Sequence, residues 1–203
     1  FRLKAVRTAR LYQEVFAGLA REYAVTLAAG SAYLPEPRVE NGELRVGKGP
    51  LYNTAAVFRP DGSLYPRLAL KINPIASELP FTASAAAGAL PVYDTPAGRL
   101  GVLVCADSWY PEPYRVLREK GVELLAVPSL LTGDGVWERP WSGYGGLAAP
   151  ADVDLGDKDR LTEGEAWRKY ALAGRIGSSG ARAGINVFLH GRLWDLGTDS
   201  GRT

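Results

Sequence analysis

The stretch that decides the fold is LVCADSWYPEP, residues 103–113, which contains the one cysteine of the chain. An apolar run that begins at Leu100 leads directly into Cys105, and Pro111 then opens a predicted helix. A buried strand that turns into a helix start is typical of an α/β or layered α+β protein. Because a helix N-terminus favours negative charge, this junction suits a nucleophilic thiolate.

Strands and helices alternate over the rest of the chain. Apolar residues at four-residue spacing predict an amphipathic helix over residues 6–23. Pro60-Asp61-Gly62 and Pro96-Ala97-Gly98 predict turns that each join two short strands. No linker divides the sequence, so we expect a single domain over residues 1–203. The remaining predictions are strands at 24–33, 122–127 and 185–189, and helices at 112–120 and 163–176.

The composition excludes several classes of function. A net charge of +2 gives no basic face for nucleic acid, and the apolar runs are too short to cross a membrane. One cysteine permits no internal disulfide, which favours a cytoplasmic location. One histidine and one cysteine are too few for a zinc site.

Two charged residues extend the chemistry that Cys105 suggests. Lys71 ends the apolar strand LALK, where an ammonium could stabilise a developing oxyanion, and Glu78 could hold that ammonium in place. Each feature has a simpler explanation as well. A free cysteine is often a small buried apolar residue, and Lys71 and Glu78 could be a solvated strand end and a helix-start carboxylate.

Three segments resemble the carbon–nitrogen hydrolase (nitrilase) family in their order and spacing. LYNTAAVFRPDGSLYPRLALK, residues 51–71, is similar to the strand pair that precedes the family's lysine. GRLGVLVCADSWYPEP, residues 98–113, is similar to the nucleophile segment, and GVELLAVPSLL, residues 121–131, to the strand after it. The resemblance implies a four-layer α-β-β-α sandwich, here N-terminally incomplete. It also implies hydrolysis of a non-peptide C–N bond through a cysteine thioester, without a metal or another cofactor. The substrate would be a small molecule: an amide or N-carbamoyl compound, or less commonly a nitrile.

The resemblance also implies roles for particular residues. Cys105 would be the nucleophile, Lys71 would stabilise the oxyanion, and Glu78 would be the second glutamate that many members carry after the lysine. The N–H of Ala106 would join the oxyanion hole. Two further candidates for the oxyanion or substrate site are Trp109 and Ser129. Family members also suggest a homodimer or a higher homo-oligomer.

The sequence departs from the family pattern in several places. The family's general-base glutamate precedes the first helix, so we expect it upstream of Phe1. The absence of methionine likewise suggests that Phe1 is not the native start. Pro35-Glu36 imitates the family's Pro-Glu signature in the wrong place. Trp109 stands where many members carry an arginine. Residues 133–159 lack a clear counterpart and could be a mobile loop or a lid that carries two tryptophans, Trp137 and Trp141.

Two other interpretations stay open at this point. A glutaminase-like enzyme would pair Cys105 with His190, the only histidine. A scaffold or binding subunit would keep the fold without catalysis. A phosphate-binding loop is disfavoured, because GELRVGKG at residues 42–49 ends in glycine where a Mg²⁺-binding hydroxyl is needed.

Overall fold

The computed structural model describes residues 1–145, 147–193 and 196–198. The α-helices are α1 (Ala5–Glu22), α2 (Pro111–Glu119), α3 (Glu163–Tyr170) and α4 (Leu172–Ser179). The strands of the first half are β1 (Leu27–Ala28), β2 (Ala32–Pro35), β3 (Arg38–Glu40), β4 (Glu43–Arg45), β5 (Leu51–Ala55), β6 (Val57–Phe58) and β7 (Ala69–Leu70). Those of the second half are β8 (Val92–Thr95), β9 (Gly98–Val102), β10 (Leu124–Ser129), β11 (Ala183–Phe188), β12 (Gly191–Leu193) and β13 (Leu196–Thr198).

The elements form four layers, as the fold-class prediction required. Helix α1 covers one side of the β2-β5-β7 sheet and the β1-β6 pair, through a core that includes Ala9, Ala20 and Phe58. Helices α2 and α4 cover the outer side of the β11-β10-β9-β8 sheet, where Leu117 and Leu125 are buried. Between the two sheet layers lies a third apolar cluster, which brings the ends of β7 and β9 close to one another.

The four-stranded sheet places the nucleophile segment. Strands β8 and β9 form the predicted hairpin, in which Thr95 pairs with Gly98. Strand β10 runs parallel to both β9 and β11, with α2 as the connection from β9. Since ligand sites of parallel sheets lie beyond the carboxyl ends of the strands, the end of β9 is where a site is expected.

Helix α1 confirms the prediction for residues 6–23 within one residue at each end. The single strand predicted over residues 24–33 is wrong, because the chain divides there into β1 and β2, which belong to different sheets. The Tyr12 hydroxyl lies at this break, where it donates to the Gly30 carbonyl at 2.6 Å and accepts from the Ala56 N–H at 3.1 Å. One side chain of α1 thus satisfies a backbone group between β1 and β2 and another between β5 and β6.

The single helix predicted over residues 163–176 is also wrong. Ala171 adopts φ −103° and ψ −146°, which separates α3 from α4. The Tyr170 carbonyl at this break accepts from Nε of Arg175 at 2.7 Å. The same guanidinium pairs with Asp152 at 2.5 Å, so the break between the helices is tied to the 133–159 segment.

The 133–159 segment is packed against the rest of the chain over its described residues. Trp141 is 2% exposed and lies in an aromatic cluster with Trp109 and Trp167. The Trp141 N–H donates to the Leu161 carbonyl at 2.8 Å. Packing of this kind contradicts the picture of a loose surface loop. No helix in the described part of the chain is long and apolar enough to cross a bilayer.

Candidate active site

Cys105 occupies a strained turn directly after the β9 strand run. Its φ is +50°, in the left-handed region that costs a residue with a side chain about 1–2 kcal/mol. Residues Cys105–Trp109 then form one 3₁₀ turn before α2. The Ser108 hydroxyl donates to the Cys105 carbonyl at 2.8 Å, and the Tyr114 hydroxyl donates to the Ser108 carbonyl at 2.8 Å. These bonds hold the turn, while the thiol is partly exposed and lines a cavity.

Lys71 follows β7, and it lines the same cavity as Cys105. Its side chain is 3% exposed, and Nζ lies 2.5 Å from Oε2 of Glu78. The backbone of Lys71 is held on both sides, because its N–H donates to the Asn53 carbonyl and its carbonyl accepts from the Ala85 N–H. Within the described residues, Glu78 is the one acceptor of the ammonium, which leaves two N–H groups for a ligand.

Glu78 is held by four donors. Besides Lys71, its carboxylate accepts from the Tyr33 hydroxyl at 3.0 Å, from Nδ2 of Asn53 at 2.7 Å and from the Ile75 N–H at 2.9 Å. Burial by itself would raise the pKa of Glu78, but the charge and hydrogen bond of Lys71 and the other donors bring it below its usual value. Glu78 is therefore a fixed anionic partner for Lys71.

Asp107 is the second buried carboxylate of the site. It is 0% exposed and accepts backbone N–H groups from Val104, Ile72 and Asn73. Burial raises the pKa of Asp107 to about 6, against the opposing effect of these donors. Its bonds reach residues next to both Cys105 and Lys71.

The cavity has a volume of about 1360 Å³. Cys105, Lys71 and Glu78 line it together with Ser129 and His190. The structure thus brings the three predicted catalytic residues, Ser129 and His190 to one cavity. The Ser129 hydroxyl lies 2.8 Å from Oδ1 of Asn186 on the neighbouring strand, to which it donates. No hydrogen bond joins His190 to Cys105 within the described residues, and Glu78 is the one carboxylate in the described lining.

Trp109 and Ala106 lie behind the cavity wall. Trp109 is 7% exposed, and its ring stacks on Trp141 at 5.9 Å and meets Trp167 edge to face at 4.9 Å. Cys105 packs against this aromatic cluster. Ala106 is buried in the turn directly after the nucleophile. Roles for Ala106, Trp109 and Ser129 in binding stay predictions.

Sequence reasoning missed three polar residues of the site, namely Tyr33, Asn53 and Asp107. Tyr33 and Asn53 contact Glu78 from strands β2 and β5, and short apolar strands give no signal for such a contact. Asp107 did leave a signal in the sequence. It is an acidic residue two positions after Cys105, close to the end of an apolar run and to Trp109 and Tyr110, and a carboxylate in such a place needs buried donors.

Comparison with known proteins shows which family this chain resembles in sequence. A family model described as carbon–nitrogen hydrolase matches residues 12–146, more than half of the chain. The omega-amidase NIT2 of Bos taurus is 30% identical over 152 residues, which cover 67% of this chain and 53% of that protein. The chain thus spans about half the length of this curated relative.

Solved structures show the same fold. A carbon–nitrogen hydrolase from Helicobacter pylori G27 has a TM-score of 0.62 at 23% identity, covering 94% of this chain and 55% of that one. An amidase from Nesterenkonia sp. AN1, with acrylamide added to its active-site cysteine by Michael addition, has a TM-score of 0.63 at 18% identity. That match covers 97% of this chain and 61% of the amidase. The sequence match and the shared four-layer fold lead to one conclusion: the chain belongs to the carbon–nitrogen hydrolase family.

Proposed function

We propose that this protein hydrolyses a small non-peptide amide through a thioester on Cys105. One observation carries the proposal: a single cavity is lined by a thiol in a left-handed turn and by the buried Lys71–Glu78 pair. The names of the amidase relatives favour an amide over a nitrile as the substrate. A small-molecule substrate, a cytoplasmic location and a homo-oligomeric state belong to the same proposal.

In the first step, Sγ of Cys105 forms a bond to the carbonyl carbon of the amide. The π electrons of the C=O bond move to the oxygen, whose charge is stabilised by the free N–H groups of Lys71. Collapse of this intermediate expels the amine, which takes up a proton, and leaves a thioester. Attack by water on the thioester then releases the acid and restores the thiol.

The proton that leaves the thiol must reach the departing amine through a general base. Glu78 is a poor candidate, because four donors engage its carboxylate and its pKa is lowered. None of the residues that the structure describes is assigned to the base. The test must therefore separate the reactivity of Cys105 from complete turnover.

The proposal is tested by ammonia release from acetamide, butyramide and an N-carbamoyl amino acid. The rate of acrylamide addition to Cys105, followed by intact mass, supplies the second readout. We expect turnover of at least one amide, its loss in Cys105→Ala and Lys71→Ala, and its retention in His190→Ala. Acrylamide should add faster to the native protein than to the urea-unfolded chain.

The rival interpretations give different results in the same assays. Loss of turnover in His190→Ala but not in Lys71→Ala would favour Cys–His chemistry. Equal acrylamide rates in the folded and unfolded protein, with no amide turned over, would favour a silent scaffold. Light scattering on the eluted protein tests the homo-oligomer, since a monomer mass near 21.8 kDa would contradict it.

A further inference from the structure

The Asp107 carboxylate joins the two segments that carry the reactive groups. Its Oδ1 atom accepts from the Ile72 N–H at 3.0 Å, from the Asn73 N–H at 2.7 Å and from Nδ2 of Asn73 at 3.2 Å. Its Oδ2 atom accepts from the Val104 N–H at 3.2 Å. Ile72 directly follows Lys71 in the chain, and Val104 directly precedes the nucleophile.

The two segments otherwise belong to different sheets. Lys71 follows β7 of the three-stranded sheet, and the nucleophile turn follows β9 of the four-stranded sheet. Among the hydrogen bonds of the described residues, those accepted by Asp107 are the ones that join residues 71–73 to residues 103–107. The apolar cluster packs the two sheets together, and within that packing the Asp107 side chain supplies the hydrogen bonds that set the Lys71 segment against the nucleophile turn.

A carboxylate is the side chain that this position requires. An ionised carboxylate only accepts hydrogen bonds, and both of its oxygens can face N–H groups at once. An asparagine in the same place would turn its NH₂ group either towards the Val104 N–H or towards the donors of residues 72 and 73. Each orientation sets donor against donor, and the contact with one segment would be lost.

We propose that Asp107 is a positioning residue, which holds the Lys71 ammonium at the distance from Cys105 that oxyanion stabilisation needs. This inference rests on the proposed function, because it assumes that the oxyanion forms beside Lys71. Donors must lie within about 2.7–3.1 Å of a developing oxyanion. A displacement of about 1 Å can cost about 100-fold in rate. Loss of the Asp107 bonds should thus impair the oxyanion site without removing the thiol.

A reversible aldehyde tests the inference without a general base. Butyraldehyde forms a hemithioacetal with a thiol: the S–C bond forms, and the carbonyl oxygen receives the π electrons and the thiol proton. Bound aldehyde protects Cys105 from methyl methanethiosulfonate. The affinity for butyraldehyde is therefore measured as the aldehyde concentration that halves the rate of this modification. That rate without aldehyde reports on access to the thiol, because the reagent forms a disulfide, releases methanesulfinate and has no carbonyl group.

We expect Asp107→Asn to weaken aldehyde binding by about 10–100-fold. Its rate with methyl methanethiosulfonate alone should stay close to that of the wild type. The control is Asp94→Asn, which changes a carboxylate that is 90% exposed and should leave both values unchanged. Asn73→Ala removes one donor to Asp107 and should weaken aldehyde binding in the same direction by a smaller factor. If Asp107→Asn does not fold, aldehyde binding by Asn73→Ala decides whether Asp107 has the positioning role.

The inference and the proposed function can fail separately. If the wild type binds butyraldehyde no better than Lys71→Ala does, the oxyanion site and the inference both fall. If the wild type binds it better but both Asp107→Asn and Asn73→Ala bind it equally well, only the positioning role is overturned. A parallel loss of aldehyde binding and of thiol access would reduce Asp107 to a structural residue, which also contradicts the inference.

Discussion

Nζ of Lys71 lies 2.5 Å from Oε2 of Glu78, and the two side chains are only 3% and 4% exposed. An ion pair at this depth loses the hydration of both charges, and it persists only where further hydrogen bonds satisfy the remaining polar atoms. Tyr33, Asn53 and the Ile75 N–H supply those bonds on the side of Glu78. The ammonium is thereby held at the cavity wall with part of its donor capacity unused.

The buried pair should contribute strongly to stability. Glu78→Gln keeps the shape of the side chain but leaves the Lys71 charge buried without an anion, so the free energy of unfolding should fall by about 3–5 kcal/mol. The control is Glu119→Gln, which removes an exposed pair with Arg115 and should cost less than about 0.5 kcal/mol. Urea unfolding followed by circular dichroism measures both values. Equal effects of the two substitutions would contradict a buried pair.

Glu78 should also make the protein sensitive to acid. Its pKa in the folded state lies below its ordinary value of 4.5, so ionised Glu78 stabilises the fold above that pH. The contribution is lost as the pH falls from about 4.5 through the folded-state pKa. The free energies of unfolding of the wild type and of Glu78→Gln should therefore differ most near neutral pH and become similar in acid. If the difference in unfolding free energy instead grows as the pH falls, the prediction that folding lowers the pKa of Glu78 is contradicted.

The Tyr33 hydroxyl should support the same carboxylate. Tyr33→Phe removes a hydrogen bond to a charged acceptor, which lies 3.0 Å away, and should lower the free energy of unfolding by about 1.5 kcal/mol. Tyr23→Phe provides the comparison, because Tyr23 is 64% exposed. Chemical denaturation of both variants is the measurement. The hydrogen bond contributes little if the two variants are equally stable.

The aromatic cluster should anchor the 133–159 segment. Trp141→Ala empties a fully buried site against Trp109 and should cost about 3–5 kcal/mol in unfolding free energy. Leu155 lies in the same segment but is 63% exposed, so Leu155→Ala should stay within about 0.5 kcal/mol of the wild type. Thermal and urea unfolding test the pair. A small effect of Trp141→Ala would restore the interpretation of a loosely attached loop.

Several elements could be predicted because short stretches of chain specify them. Apolar residues at four-residue spacing are enough to predict α1, and the Pro96-Ala97-Gly98 turn is enough to predict the β8–β9 hairpin. The end of an apolar strand is visible in the sequence at both Lys71 and Cys105. Such signals depend on residues that are neighbours in the chain.

Other features depend on contacts across long sequence separations. The division of residues 24–33 into two strands involves Tyr12, and the break at Ala171 involves Arg175 and its partner Asp152. Tyr12 comes from another segment and satisfies the interrupted backbone itself, whereas Arg175 does so from the following helix and is held by Asp152 of another segment. Periodicity cannot show such a partner, since it carries no information about which segments meet in space.

The sequence by itself indicated a layered α/β protein, and its resemblance to the carbon–nitrogen hydrolase family implied the four-layer fold and the candidates Cys105, Lys71 and Glu78. Only the tertiary structure decided how these groups are held. Asp107 reaches Ile72 across 35 positions of sequence, and Glu78 collects Tyr33 and Asn53 from two other strands. The physical reason is that buried charges must find donors wherever the packing of the layers brings them.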